Sequence, residues 1–479
     1  MAVLAIVLAI LVGGVIPRFS PLFVIAGVVA SVLIGAVAVY PRFAGYTLLA
    51  MTPLIAGIDR GTLMPVLRPS EALALLVGAG LMLRGLARMR TRGFVMPRLR
   101  TADVSILLLA ITSSIVPLLW MMIRHAHIQS DDLNYSLALW KFYAIYVIFR
   151  TSVRTAAEVK VCAYISMVSA GLVAVIAILQ ALQVFGVAQF LTHYYSPFGV
   201  ASEVTNSRGG STLSLPVAVA DLCIFNLVIA FGLLIRGVPA KRARFLVSMS
   251  VLFVIGVLAA GELSSVVCLV AAGVTIAVLT HRGRSILRMI PILLGAGVLL
   301  KPVLTARLSA IDPQTGLPVS WIGRLNNLNT YFLPKLFSGY NWMLGVRPSA
   351  RVATVKIAFG YIWIESGYVW LLWGGGIPLF LAYLYFTREN FRLNVQRMRT
   401  RDDAVGAVAL AVAVALAVVA TGMLFDPHLT YRGSGDFLFA LLALAGVGAP
   451  AASRTSAVDR LRAPPADARL TSTRAIGSA

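Results

Sequence analysis

The sequence predicts an all-α, polytopic membrane protein, and three observations carry that prediction. Of its 479 residues, 59% are hydrophobic and only 12% are charged. Apolar runs of about 15–22 residues recur along the chain, and this is the length that crosses a hydrocarbon core as a helix. The runs are continuous rather than alternating with a period of two, which excludes a membrane β-barrel and leaves a helix bundle.

The apolar runs predict about 12–14 membrane spans. The candidate runs are residues 2–16, 21–40, 43–57, 71–88, 103–123, 132–149, 158–185, 215–235, 244–260, 263–280, 288–305, 361–387, 403–423 and 435–449. The first three are short or interrupted by glycine and proline, which accounts for the range in the count. Ala2–Ile16 lacks a basic flank and a small-x-small cleavage site, so we expect a retained helix rather than a signal peptide.

The formal net charge of +23 is explained by membrane topology. Cytoplasmic loops of membrane proteins collect Arg and Lys, so we expect no nucleic-acid partner. Basic blocks occur at every second connection, at Arg84 to Arg100, Arg150 to Lys160, Arg236 to Arg244, Arg282 to Arg288 and Arg388 to Arg401. This alternation predicts that both termini are cytoplasmic and that the loops 186–214 and 306–360 lie outside.

The predicted organisation is one transmembrane unit, residues 1–449, followed by a disordered cytoplasmic tail, residues 450–479. The tail is rich in Ala, Ser, Pro and Arg and has no hydrophobic periodicity, as in chains that cannot bury a core. Cys162, Cys223 and Cys268 all fall inside apolar runs without zinc-ligand spacing. We therefore expect them to be core residues outside any disulfide framework.

The loop 306–360 is basic although it is predicted to lie outside. Its cations are Arg307, Arg324, Lys335, Arg347, Arg351 and Lys356, and its only acid is Asp312. Long loops escape charge-based sorting, but a cationic concavity at the membrane face would attract a polyanionic lipid headgroup. Apolar residues at helical spacing from Leu325 to Leu336 predict an amphipathic helix, either on the bilayer or packed against the bundle.

Arginines in the two outside loops are the candidate phosphate-binding residues. Arg208 begins the stretch Arg208-Gly209-Gly210-Ser211-Thr212, directly before a predicted span. Glycine lets backbone approach a ligand closely, and a guanidinium group offers a planar fork of donors for phosphate oxygens. Arg324 and Arg347 share this chemistry. For each, the alternative is a membrane-edge arginine whose charged head reaches water.

Glu365 is the candidate catalytic base. It is the only acid in Tyr361–Phe386, a run that is predicted to be helical. A carboxylate near apolar surroundings is costly unless it is paired or functional, and partial burial raises the pKa of a carboxyl group toward neutrality. Such a group suits proton abstraction from a hydroxyl. The alternative is a structural salt bridge with an outside arginine.

Other polar residues give weaker signals. We interpret Glu262 as a solvated turn residue and Asp131-Asp132 as a helix N-terminal cap, because no third ligand is spaced to complete a metal site. His125-x-His127 alone is a poor zinc signal. The chain contains no Walker A, dinucleotide-binding or nucleophile-elbow pattern.

Four further polar residues lie inside or beside predicted spans. Lys141 and Asp221 fall within spans, where they would pair with other groups or line a cavity. Asp426 and His428 lie outside, where they would edge the same cavity.

Three stretches together resemble the O-antigen ligase and O-antigen polymerase family of polytopic bacterial glycosyltransferases. The family pattern R-x-x-G-[ST]-F-x-x-P is similar to Arg208–Pro216, with Ser211 in place of the glycine. Its G-R-L and N-P-L-x-G-x-G elements are similar to Gly323-Arg324-Leu325 and to Asn341–Gly345.

The third stretch is similar to the family element H-N-x-Y-L-x-x-L-x-E-x-G around Tyr368, with Glu365 in place of His and Gly374 in place of Glu. A further family element, S-R-[GST], has its nearest counterpart at Glu262–Ser265, which lacks the Arg. The missing His and Arg favour a divergent polymerase over a ligase.

The resemblance implies a helical architecture like that of the glycosyltransferase C class, in the bacterial cytoplasmic membrane. It implies a donor glycan on a polyprenyl diphosphate, an acceptor glycan, and a role in surface polysaccharide synthesis alongside a chain-length regulator and a flippase. Arg208 and Arg324 would bind the diphosphate, Arg347 and Tyr368 would complete the substrate site, and Glu365 would be the base of an inverting transfer. We expect no metal and no cofactor.

Three alternatives stay open at this point. Transfer to a different acceptor would make the protein a ligase. A lipid-linked oligosaccharide flippase would have a similar number of spans, with broken helices and polar sites at mid-membrane. A non-catalytic scaffold of an envelope assembly would tolerate alanine at Arg208 or Glu365.

Overall fold

The computed structural model describes residues 21–60, 62, 67–92, 99–196, 202–206, 208–284, 290–354 and 360–448. The predicted first span, 2–16, and the predicted tail, 450–479, lie outside the described residues, as does Lys356. The helices are α1 (Pro21–Val39), α2 (Arg42–Ile55), α3 (Pro69–Arg92), α4 (Thr101–Ile123), α5 (Ser130–Ser136), α6 (Ala138–Ser152), α7 (Ala156–Ala181), α8 (Val187–Tyr194), α9 (Ser202–Thr205), α10 (Pro216–Leu234), α11 (Ala240–Ala259), α12 (Leu263–Thr280), α13 (Ile290–Leu299), α14 (Lys301–Leu308), α15 (Val319–Asn327), α16 (Leu333–Leu336), α17 (Asn341–Leu344), α18 (Gly367–Thr400), α19 (Ala404–Gly422) and α20 (Ser434–Ala445).

Short elements complete the described chain. A 3₁₀ turn covers Ser211–Leu213, another covers His428–Thr430, and a π turn covers Leu328–Phe332. Strands β1 (Arg351–Ala353) and β2 (Tyr361–Trp363) form an antiparallel pair in which Val352 lies opposite Ile362.

The all-α polytopic prediction is confirmed. In the described part of the chain, eight helices are long and apolar enough to cross a membrane: α3, α4, α7, α10, α11, α12, α18 and α19. The pair α13 and α14 would be a ninth, bent by 83°. The predicted total of about 12–14 is not reached among these residues, because the helices at three predicted spans, α2, α6 and α20, are only 14, 15 and 12 residues long.

Two predicted boundaries near Glu365 are wrong. Tyr361–Trp363 is a strand rather than the start of a helix, and α18 begins only at Gly367, where the Ser366 hydroxyl accepts from the Val369 amide at 3.5 Å. Glu365 therefore stands on an irregular segment in front of the helix rather than within it.

Helices α10 and α19 form the centre of the bundle and are buried along most of their length. Helix α19 consists almost entirely of Ala, Val, Leu and Gly, and small side chains let neighbouring backbones approach closely. A Cβ atom on Gly232 would lie 3.1 Å from the Ala407 backbone. Helices α7, α11, α12 and α18 pack around this pair.

The outer surface of the bundle is apolar in stripes. On α12, Val270, Val274 and Val278 recur at a spacing of four and are 58–64% exposed. A soluble protein rarely leaves such a continuous apolar face in water, whereas lipid accommodates it. The protein is therefore a multi-pass membrane protein.

The long connection, residues 309–366, runs between α14 and α18. Its predicted amphipathic segment packs against the bundle: Phe332 and Leu336 are buried, and the Phe332 ring meets the Trp373 ring edge-on at 5.1 Å. Leu325 points outward and is 57% exposed. Of the two predicted placements, packing on the bundle is confirmed for the second half of the segment.

Helix α18 is interrupted where the long connection docks. Gly376 has φ 63° and ψ −155°, and Pro378 follows it. A Cβ atom at Gly376 would lie 2.2 Å from the Met343 carbonyl oxygen, so only glycine fits this close approach. The Val346 amide donates to the Trp373 carbonyl at 2.7 Å, which satisfies a carbonyl next to the break.

Candidate functional site

The Arg208 segment is fixed by close backbone packing. The Gly209 amide donates to the Ala259 carbonyl at 2.9 Å, and a Cβ atom at Gly209 would lie 2.7 Å from the Ala177 carbonyl oxygen. Glycine is therefore required for the segment to lie between the ends of α7 and α11. This packing brings the Arg208 guanidinium group beside the start of α12.

The hydroxyl groups that follow Arg208 are structural. Ser211, Thr212 and Ser214 donate to the carbonyl groups of Val173, Pro53 and Gly57, at 2.8, 2.8 and 2.9 Å. Ser211 has φ 50°, a left-handed conformation that favours glycine. These bonds tie the segment to α2 and α7 and leave the arginine as its projecting polar group.

Glu262 is the first carboxylate of the site. Its Oε1 lies 3.3 Å from Nη1 of Arg208 and 3.8 Å from Nη2 of Arg307 on α14. The Glu262 side chain is only 16% exposed. The interpretation of Glu262 as a solvated turn residue is therefore wrong, because two arginines from distant segments converge on it.

Arg324 is held between two further carboxylates. Its Nη1 donates to Oδ2 of Asp426 at 2.8 Å, and its Nε lies 3.6 Å from Oε1 of Glu365. Glu262 lies close enough to act electrostatically on both Arg324 and Glu365. We call Arg208, Glu262, Arg307, Arg324, Glu365 and Asp426 the arginine cluster.

Burial within the arginine cluster shifts the pKa values of its acids. Burial raises the pKa of Glu365 above its ordinary value, and the Arg324 guanidinium only partly opposes this. Burial likewise raises the pKa of Asp426. Burial alone would lower the pKa of Arg324, but the carboxylates of Asp426 and Glu365 raise it overall. Glu365 is also 37% exposed, so a raised pKa and access to a substrate coincide on one carboxyl group.

A buried histidine lies beneath the arginine cluster. Nδ1 of His428 is 2.9 and 3.1 Å from the two carboxylate oxygens of Asp221, near the start of α10. Burial disfavours the imidazolium ion, but the Asp221 carboxylate raises the pKa of His428 overall. Asp426 binds Arg324, and His428 lies two residues further along the chain, fully buried rather than at the edge of a cavity.

Asp221, Cys268 and His428 are the candidate metal ligands among the described residues. One ligand atom from each lies within 4.8 Å of the others. Two tetrahedral ligands on a zinc ion would lie about 3.3 Å apart, given bond lengths of about 2.1 Å. The closer contact between His428 and Asp221 is the length of a direct hydrogen bond.

Arg347 belongs to a different group of residues. It binds Asp132 in a bidentate manner, with Nε–Oδ1 at 2.9 Å and Nη2–Oδ2 at 2.6 Å. Arg124 lies nearby and donates to the Asn341 side chain and the Val346 carbonyl. We call Arg124, Asp132, Asn341 and Arg347 the anchor cluster, because it fastens the long connection to α4 and α5.

The Asp131-Asp132 pair also serves the anchor cluster. The Asp132 carboxylate accepts from the Gln129 amide at 2.9 Å in the first turn of α5, which confirms the capping interpretation for that residue. Asp131 is ion-paired with Arg351. Asp132 therefore serves both helix capping and the attachment of the long connection, and Asp131 serves the attachment.

Tyr368 also makes structural contacts. Its hydroxyl donates to the Ala420 carbonyl at 2.8 Å, and its ring meets those of Phe380 and Tyr383 edge-on. Of the predicted site residues, Arg324 and Glu365 lie 3.6 Å apart, and Arg208 is linked to them through Glu262. Arg347 and Tyr368 make other contacts.

Two participants were missed by sequence reasoning. Arg307 was counted only as one of several loop cations, and no role was assigned to it. Asp221 was recognised as an acid within a span, but its partner His428 lies 207 residues away. The available signal was the isolated charge in an apolar run, which indicates that a partner exists without identifying it.

No family model matches the chain, and no curated protein is significantly similar to it.

Proposed function

We propose that the protein is a polymerase-type glycosyltransferase. It would move a glycan from a polyprenyl diphosphate to a hydroxyl group of an acceptor sugar, in the synthesis of a bacterial surface polysaccharide. The observation that carries the proposal is the position of Arg324, which is shared between a buried carboxylate, Asp426, and a partly exposed one, Glu365. A phosphate-binding group and a candidate base therefore lie side by side.

The positions of the family-like motifs support this proposal. Arg208, which begins the first motif, and Arg324, in the G-R-L element, come from segments far apart in the chain. Both contribute to the arginine cluster. Ser211 stands where the family pattern has glycine, and it adopts the left-handed backbone that glycine favours. Gly345 also has a positive φ, 92°, and a Cβ atom there would meet the Gly375 backbone at 2.9 Å.

The proposed chemistry assigns each charge a role. Arg208 and Arg324, with Arg307 beside them, bind the two phosphates and neutralise the charge that grows as the diphosphate leaves. Stabilising charge where it develops is usually the largest catalytic contribution. Glu365 accepts the proton of the acceptor hydroxyl while that oxygen attacks the anomeric carbon from the side opposite the diphosphate, which inverts its configuration. The bond between the anomeric carbon and the diphosphate oxygen breaks, and the diphosphate leaves with the electron pair.

Cellular placement is part of the proposal. The charge pattern of the connections supports cytoplasmic termini, with the arginine cluster at the outer face of the bacterial cytoplasmic membrane. There the donor would be delivered by a flippase, and a chain-length regulator would set the extent of polymerisation. The guanidinium groups provide the positive charge that a metal ion would otherwise supply to a leaving diphosphate, so we expect activity without added metal.

The decisive experiment uses the purified full-length chain in lipid nanodiscs with a polyprenyl-diphosphate oligosaccharide and a chelator. Formation of longer lipid-linked glycans, resolved by gel electrophoresis and mass spectrometry, is the expected result. Transfer only to a different acceptor would identify a ligase instead. Movement of the donor between vesicle leaflets without any glycosidic bond formation would identify a flippase and overturn the proposal.

A further inference from the structure

His428 lies at the base of the arginine cluster in an unusually close fit. Its side chain is fully buried, and a Cβ atom at Gly422, the last residue of α19, would lie 2.5 Å from the imidazole ring. The ring also meets Tyr431 at 5.4 Å between centroids. The imidazole is thus fixed by α19, by its own turn and by Asp221 on α10.

A short segment joins this histidine to Arg324. The His428 amide donates to the Asp426 carbonyl at 2.8 Å, and the Asp426 amide donates to the Gly422 carbonyl at 3.0 Å. The Asp426 carboxylate then binds Arg324, and it also bonds to Tyr431. Any shift of the imidazole would therefore move the turn that presents Asp426 to Arg324.

We propose that His428, fixed by Asp221, is a positioning residue that holds Asp426 against Arg324 and thereby orients the Arg324 guanidinium group beside Glu365. The proposal deepens the proposed glycosyl transfer and, for its activity readout alone, rests on that function. His428 itself is buried and does not reach substrate.

Neighbouring groups hold the imidazole from several sides. Charged and titratable groups near His428 are Asp221 from α10, Cys268 from α12, Arg324 from α15, and Asp426 and Tyr431 from its own segment. A smaller or displaced side chain at position 428 would let the turn move and carry Asp426 away from Arg324.

The first test separates kcat from KM for glycan transfer by the full-length protein. His428→Gln replaces the fixed imidazole, and Asp221→Asn weakens its hydrogen bond while keeping the shape of the site. In both variants we expect kcat to fall by about tenfold while KM changes by less than about twofold, because Arg324 is no longer held where charge develops on the diphosphate. Lys141→Gln is the matched control, because it breaks another half-buried ion pair, Lys141–Asp436 at 2.7 Å, and should leave kcat unchanged.

The second test does not depend on catalysis. NMR of the nanodisc protein with ¹⁵N-labelled arginine follows the Nε–H signal of Arg324, assigned by its loss in Arg324→Lys. His428→Gln and Asp221→Asn should both shift this signal, whereas the Arg347 signal stays unchanged. An unmoved Arg324 signal in both variants, or a change in KM with kcat unchanged, would overturn the positioning role. An inactive wild type with shifted Arg324 signals would refute only the proposed transfer reaction.

Discussion

Two groups of arginines serve the long connection. They differ in how closely Arg347 in one group, and Arg208 and Arg307 in the other, approach their carboxylate partners. In the anchor cluster, Arg347 forms a bidentate pair with Asp132, a fully buried carboxylate that also accepts from backbone amides. In the arginine cluster, Arg208 and Arg307 share one oxygen of Glu262 at 3.3 and 3.8 Å, and Glu365 is 3.6 Å from Arg324. The Arg347–Asp132 pair is tight, whereas the contacts of Glu262 and Glu365 with their arginines are long.

This difference separates structural from ligand-binding arginines. A bidentate pair fixes both side chains and leaves few donors for a third group. Loosely shared pairs in a partly exposed setting exchange one acceptor for another at low cost. Arg208 and Arg307 can therefore transfer donors to phosphate oxygens, and Arg324 can release Glu365 while it keeps its 2.8 Å bond to Asp426. Arg347 would have to abandon a buried carboxylate to do so.

The largest expected effect comes from the candidate base. Glu365→Gln keeps the shape of the side chain but cannot accept the proton, so glycan transfer should fall by about 10²- to 10⁴-fold. The rate of formation of longer lipid-linked product measures it. Asp312→Asn is the matched control, because this acid caps a turn at Gln314 and Thr315 in the same connection. Equal rates in Glu365→Gln and wild type would remove Glu365 from the mechanism.

Neutralising one arginine from each cluster tests the comparison directly. Arg324→Gln should lower kcat by about 10²- to 10³-fold, because it removes a donor to the leaving diphosphate. Arg347→Gln leaves Asp132 buried without its cation and should reduce the free energy of unfolding by about 3–5 kcal/mol. Turnover and urea unfolding of both variants give the two quantities. The comparison fails if Arg347→Gln lowers turnover while unfolding stays unchanged.

The two clusters should also lose their contributions at different pH values as the solution is acidified. Burial raises the pKa of Glu365 above 4.5, so its basic form is lost as the pH falls through that raised value. On acidification, kcat/KM should therefore begin to fall while the pH is still above 4.5. Asp132 has its pKa lowered below 3.8, because Arg347 and the Gln129 amide outweigh burial. Its stabilisation is fully present above 3.8 and is lost only below it. Parallel activity and unfolding profiles against pH measure both; coincident midpoints would contradict the contrast.

A smaller effect is expected from the turn beside Arg208. In Gly209→Ala the new Cβ would lie within 3.0 Å of two backbone carbonyl oxygens, and such overpacking costs about 1–3 kcal/mol. Gly323→Ala is the matched control: its Cβ would meet nothing within 4 Å on helix α15, so stability should be unchanged or rise by about 0.5–1 kcal/mol. Thermal unfolding of both variants decides the point, and a neutral Gly209→Ala would show that the segment is not tightly fixed.

The smallest expected change follows from Glu262. Its carboxylate competes with phosphate for Arg208 and Arg307, and exposed or half-buried pairs of this kind contribute about 0.2–1 kcal/mol. Glu262→Gln should therefore tighten binding of a short polyprenyl diphosphate by about 1.4-fold to fivefold, measured by calorimetry. Weaker binding in this variant would mean that Glu262 orients the two arginines instead of competing for them.

The sequence predicted the helical architecture well, because membrane helices are determined by a local property, the length of an apolar run. The prediction from sequence failed where the backbone conformation depends on pairing with another segment. Tyr361–Trp363 was expected to be helical, yet it pairs with Arg351–Ala353 as a strand. Helices such as α20 are shorter than their apolar runs, since their ends are occupied by glycine turns and capping contacts.

The candidate site was predictable in its chemistry but only partly in its membership. Arg208, Arg324 and Glu365 stand out as charges in unusual surroundings. Arg324 lies beside Glu365, and Arg208 is linked to this pair through Glu262. Arg347 has the same local signature, but its assignment depends on Asp132, more than two hundred residues earlier. No local pattern distinguishes an arginine that meets such a partner from one that does not.

The interruption of α18 has a consequence for protein engineering. The Val346 amide, which belongs to the long connection, donates to the carbonyl of Trp373 just before the break at Gly376. Lipid offers no substitute donor for an interrupted turn. A chimaera that exchanges the connection must therefore carry the glycine run Gly374-Gly375-Gly376 with it, so that the two stretches are inherited as one module.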